Sequence, residues 1–151
     1  MNLMIGADHR GADAANALAR RLTDAGHTVA VCAPTAAEAC DYPEPAWDVG
    51  RAVASGKADR GILLCGTGIG TSIAANKVKG VRAAVVHDEI TAELSRSHND
   101  ANVLCMSADL LGLRLLEKIT DLWLRTSFDG GRHERRIAKI TKIEQGLDPR
   151  G

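Results

Sequence analysis

Aromatic side chains are scarce in this chain: Tyr42, Trp47, Trp123 and Phe128 are the only four in 151 residues. Reading single-stranded nucleic acid relies on such rings as stacking platforms, so that function is not expected. Neither charge sign dominates. Lys plus Arg and Asp plus Glu both number 19, a net charge of zero that leaves no basic footprint for a phosphate backbone. No apolar run reaches the ~18 residues that suggest a membrane span, and no secretory leader pattern is expected at the start. Repeats, linkers and low-complexity tracts are lacking as well. Cysteine is sparse and unpatterned: Cys32, Cys40, Cys65 and Cys105 match neither a CxxC pair nor a zinc spacing. Cys32 and Cys105 fall in apolar runs, where a thiol serves as a small hydrophobe. These absences point to one reduced, cytoplasmic domain with no nucleic-acid or membrane partner.

What is present has a clear period. Strand-like apolar runs recur at 2–7, 28–33, 61–65, 82–87 and 102–106, each followed by a helical pattern at 11–25, 44–56, 70–78, 89–97 and 109–126. Near-continuous apolar strands alternating with helices predict a parallel sheet covered on both faces, a doubly wound α/β domain over 1–151. Ala14, Ala15, Leu18, Ala19 and Leu22 keep helical spacing, with Gly26 in the position that closes a helix. Asp109 is expected to cap the fifth helix. A last helix, 131–146, follows Gly130-Gly131.

The stretch Cys65-Gly66-Thr67-Gly68-Ile69-Gly70 carries the most chemistry. A buried strand ends in a thiol, and three glycines spaced two apart then lead into a small-residue helix. Such a turn exposes backbone N–H groups that bind anions, a phosphate or an oxyanion formed during reaction. Cys65 lies at a strand's carboxyl end, where open α/β sheets bind ligands. A thiolate there suits proton abstraction beside a carbonyl, and Thr67 adds a hydroxyl. A dinucleotide reading is weaker. The third small residue of that fingerprint falls on Thr71, although Asp88 does end a strand about 20 residues on.

Other polar groups gather at predicted element ends. Asp8-His9-Arg10-Gly11 follows the first strand and either binds a polyol and an anion or merely caps the next helix. Ser97-His98-Asn99 precedes the fifth strand, either as a connector or with His98 as acid/base. Arg132 and Arg136 share one face of a helix in its first turns, where cations oppose the macrodipole. A phosphate clamp accounts for that placement better than a solvated face.

Together with Asp41-Tyr42-Pro43, Ala74-Ala75-Asn76-Lys77 and Gly130-Gly131-Arg132-His133, these motifs resemble the B-type ribose 5-phosphate isomerases and their galactose and allose phosphate relatives, over nearly the whole chain. The resemblance implies a flavodoxin-like (Rossmann-like) sandwich working as a homodimer without metal or cofactor; whether two dimers pair into a tetramer stays open. It implies sites shared between chains and a place in the pentose phosphate pathway. Cys65 would be the base moving a proton between C1 and C2 of an open-chain sugar through a cis-enediolate. The N–H groups of Gly66, Gly68, Ile69 and Gly70 would hold the enediolate oxygen, with Thr67 assisting. His98 would open the ring with Asp8. Tyr42 and Asn99 would contact hydroxyls, and His9, Arg132 and Arg136 the phosphate. Some relatives use a glutamate base at the position of Thr71 instead; this chain is of the thiol type.

One departure stands out. Many relatives carry glycine-x-arginine after the fifth strand, the arginine approaching the phosphate, where this chain has Ser107-Ala108-Asp109. Ribose 5-phosphate is the expected substrate; a tetrose, allose or galactose phosphate is the alternative, and a non-catalytic sugar-phosphate or nucleotide sensor the rival from another class.

Overall fold

The computed structural model describes residues 1–35 and 39–151. Five strands, β1 (Asn2–Ala7), β2 (Thr28–Cys32), β3 (Arg60–Cys65), β4 (Ala83–Val85) and β5 (Val103–Ser107), form one all-parallel sheet in the order β2-β1-β3-β5-β4. Six helices accompany them: α1 (Ala12–Asp24), α2 (Pro43–Ala54), α3 (Ile69–Ala75), α4 (Glu89–Ser97), α5 (Leu113–Arg125) and α6 (Arg132–Glu144). The expected doubly wound sandwich is the observed one.

Strand alternation distributes the core. Leu3, Ile5, Ile62, Leu64, Leu104 and Met106 face one side, with Leu18 and Leu22 of α1, Ala92 of α4 and Leu116, Ile119 and Trp123 of α5. The intervening Leu63, Val103 and Cys105 face the other, against Ala46 and Val49 of α2 and Ala75 of α3. A period of two along each strand thus feeds two helix layers. Each such buried leucine or isoleucine contributes about 2 kcal/mol. The single polar atom of Trp123 is satisfied, its Nε1–H donating to Ser95 Oγ at 3.1 Å.

Three sequence expectations are corrected. Asp109 does not cap the fifth helix: α5 begins at Leu113 with Gly112 as its N-cap, because the preceding residues are tied to the β3–α3 loop. Ser107 Oγ donates to Gly66 O at 2.5 Å and accepts the Leu110 N–H at 2.9 Å, while Asp109 N–H donates to Gly66 O at 3.2 Å. β4 shrinks to three residues since it is an edge strand paired with β5 alone. The helix expected over 70–78 ends at Ala75; Asn76 then turns back and brackets Ala83, accepting its N–H and donating to its carbonyl, both at 2.9 Å. Asp88 is the N-cap of α4, accepting the Thr91 N–H at 2.7 Å. Among the described residues no helix is long and apolar enough to cross a membrane.

Candidate active site

The carboxyl ends of β1, β3 and β5 meet, since Ala7 pairs with Leu64 and Cys65 with Ser107. The glycine loop sits there. Gly68 has φ +78°, a left-handed conformation, and a Cβ on it would lie 3.0 Å from the Met106 backbone. Only glycine fits both demands. The turn folds the loop over the thiol: Gly68 N–H donates to Cys65 Sγ at 3.1 Å, and Thr71 Oγ1, itself donating to Gly68 O at 3.1 Å, lies 3.5 Å from the sulfur. Among the described residues the N–H groups of Gly66, Thr67 and Gly70 meet no protein acceptor, so the loop retains donors for an oxyanion.

Burial pushes Cys105 up to about 12 and Cys32 up to about 11, and raises Cys40.

Around the loop stand the β1–α1 and β2–α2 residues expected there. Buried Asp8 accepts the N–H groups of Arg10 and Gly11 on Oδ1, at 2.9 and 3.1 Å. It therefore shapes the turn ahead of α1 and keeps Oδ2 for another partner. His9 Nδ1 lies 3.2 Å from Cys40 O. The Tyr42 ring covers Gly70 so closely that a Cβ there would lie 2.7 Å from the ring edge. Arg10, one of the groups read from the sequence as able to bind an anion, pairs with Asp109. Two neighbours escaped the sequence reading: His87 Nε2 lies 3.3 Å from Thr67 O, and Thr71 contacts the sulfur. For His87, its place directly after a strand was the available signal.

His98, Asn99, Arg132 and Arg136 are elsewhere. α4 runs back from the carboxyl end of β4, so His98, its C-cap, reaches the amino edge of the sheet. There Arg82 Nε donates to Asn99 O at 3.2 Å, and Asn102 N–H to Arg82 O at 3.0 Å. β5 separates this edge from Ser107, five residues at about 3.3 Å each, or about 15 Å. Within one chain the two groups do not meet.

The amino-edge group is itself well ordered. Asp100, at φ +44°, binds both Arg82 Nη2 (2.8 Å) and Arg96 Nη1 (2.7 Å), and Arg96 is buried over the Trp123 ring. His98 stacks on His133 of α6, ring centroids 4.1 Å apart and planes 9° from parallel. Burial first, then His98, Arg132 and Arg136, hold the His133 imidazole below its usual range. His98, Asp129 and His133 each bring one potential metal-ligand atom within 4.8 Å of the others. Parallel rings aim their in-plane lone pairs side by side rather than at one point, a poor fit to a tetrahedral ion.

Comparison with known proteins bears on the whole chain: the family profile described as Ribose/Galactose Isomerase matches residues 3–140. The chain belongs to that family. It is 44% identical over 143 residues to the ribose-5-phosphate isomerase B of Escherichia coli, covering 95% of this chain and 96% of that one. It is 40% identical over 146 residues to a D-erythrulose-4-phosphate isomerase of Pectobacterium atrosepticum, with 95% of each covered. The solved ribose-5-phosphate isomerase B of Clostridium thermocellum superposes with a TM-score of 0.95 at 45% identity, covering 97% of this chain and 99% of that one.

Proposed function

We propose that this protein is an aldose–ketose isomerase that interconverts ribose 5-phosphate and ribulose 5-phosphate. The observation that carries the reading is the Cys65 thiol folded under a glycine loop, receiving one backbone N–H while Gly66, Thr67 and Gly70 meet no acceptor among the described residues. Cys65 as thiolate takes the proton from C2 of the open-chain aldose. The electron pair moves into the C1–C2 bond and the carbonyl oxygen becomes an enediolate oxygen, held by the loop N–H groups. Thr67 passes a proton between the two oxygens, and Cys65 returns its proton to C1, giving the ketose. Atoms and charge balance without a metal or redox cofactor. Asp8 and Tyr42 hold sugar hydroxyls, and His9 the phosphate.

The remaining roles require a second copy of the chain. His98 of the partner subunit opens the furanose ring, Asn99 of the partner subunit binds a hydroxyl, and Arg132 and Arg136 of the partner subunit close on the phosphate. The separation of the two groups supports this reading. So does apolar surface: Ile69 and Ile73 on α3, Ile140 and Ile143 on α6, and Leu147 just beyond it are exposed in the single chain. A homodimer covers them and brings the two edges together. The four free cysteines fit a reducing cytoplasm.

A second reading keeps the chemistry and shortens the sugar to a tetrose phosphate. Asp109 beside the loop and the erythrulose-phosphate relative favour it. Turnover of ribose 5-phosphate by purified protein with chelator present, against Cys65→Ala, tests the first reading; tetrose and hexose phosphates run alongside test the second. Loss of turnover in Cys65→Ala with retained fold is the expected result. Substantial residual turnover would remove the thiol from its role. Solvent-hydrogen exchange into bound sugar separates an isomerase from a sensor, which has no reason to labilise a C–H bond.

A further inference from the structure

Arg10 and Asp109 form the most complete ion pair at the mouth of the loop. Arg10 Nε donates to both Asp109 oxygens, at 3.1 and 2.8 Å, and Nη2 lies 2.8 Å from Oδ2. The carboxylate thus grips the guanidinium along its Nε side. That leaves both N–H groups of Nη1 and one of Nη2, and among the described residues none of these meets an acceptor. An Arg fork in this state presents two parallel N–H bonds at its far end, the geometry that binds a phosphate bidentately. The pair is also placed against the loop: a Cβ on Gly66 would lie 2.9 Å from Asp109 Oδ2 and 3.2 Å from Arg10 Nε. Arg10 follows His9 directly, and both residues are exposed.

Asp109 occupies the position where many relatives carry an arginine, and an unpaired aspartate there would repel a phosphate dianion. It is not unpaired. We infer that Arg10 supplies from the β1–α1 loop the cation that relatives supply from the β5–α5 loop, with Asp109 as its positioning residue. Arg10 then binds the substrate phosphate end-on beside His9, and the pair determines which chain length bridges from Cys65 to that fork. The inference rests on the sugar-phosphate isomerase reading, but its central claim concerns anion binding and is measurable without turnover.

The test measures inorganic phosphate and ribose 5-phosphate binding to the full protein by calorimetry, and KM and kcat for ribose 5-phosphate. Arg10→Met is expected to weaken phosphate binding and raise KM about 10-fold or more, the loss of one or two charge-assisted hydrogen bonds, with a smaller effect on kcat. The double variant Arg10→Met/Asp109→Arg returns a cation from the other loop and is expected to recover most of that loss. Thermal melts of both variants verify folding. Unchanged phosphate affinity in folded Arg10→Met overturns the inference, and so does a folded double variant that recovers nothing. A wild type that binds phosphate through Arg10 but turns over no sugar phosphate would count against the isomerase reading alone.

Discussion

Gly68 and Gly70 lie two residues apart in one loop, yet alanine should act on them in opposite ways. At Gly68 the backbone is left-handed, φ +78°, which costs an L side chain about 1–2 kcal/mol. The new Cβ also meets Met106 C, O and Cα at 3.0, 3.2 and 3.3 Å. Met106 is in a fully buried strand between neighbours on both sides, so this backbone cannot step aside, and strain adds about 1–3 kcal/mol. A loss of about 3 kcal/mol corresponds to about 6–12 °C in Tm for a chain of this size. Gly70 instead lies in the first turn of α3, where alanine gains up to about 1 kcal/mol of helix propensity. Its Cβ meets the Tyr42 ring at 2.7 to 3.0 Å, but that side chain is exposed and can swing away. Stability should therefore stay within about 1 kcal/mol of wild type, Tyr42's excursion offsetting the propensity gain. Sugar-phosphate KM should rise, because Tyr42 leaves the loop. Thermal and urea denaturation measure the first effect and steady-state kinetics the second. Equal stability losses at the two positions, or a larger one at Gly70, would refute this account of what holds the loop.

Two further expectations concern the amino-edge group. The His133 pKa lies below its usual 6.5, so the unfolded chain binds the proton more tightly and stability falls as pH drops through about 6.5 toward the folded-state value. His133→Phe, which keeps a ring stacked on His98, should flatten that acid-side fall in Tm; an unchanged slope would show that other groups cause it. Asp100→Asn fits the left-handed backbone but leaves Arg96 buried without its counter-charge, and should cost about 2 kcal/mol by urea denaturation, less than a fully buried pair because Asp100 is one-third exposed. A neutral outcome would mean that the carbonyl of Ala101 and the Trp123 ring suffice to hold the guanidinium.

The sheet, its parallel sense and all six helices were legible in the amino-acid order, because hydrophobic periods of two and near 3.6 are local properties. So was the glycine loop, since glycines after a buried strand permit the left-handed turn that Gly68 adopts. Element ends were less legible. Asp109 reads as a cap from its neighbours alone, and its actual partner is 99 positions away. β4 reads as a long strand, and its edge position, which no local pattern encodes, shortens it.

The composition and order of side chains by themselves determined the fold class, the thiol at the end of β3 and the family motifs. Only the tertiary structure decided which of those motifs share a place. Parallel strands collect Asp8, Tyr42 and Cys65 at one edge of the sheet, and antiparallel return helices carry His98, Arg132 and Arg136 to the other. Segments far apart in sequence become neighbours only through strand pairing and helix packing. For the same reason it was the folded chain that turned Asp109 from a helix cap into the holder of Arg10.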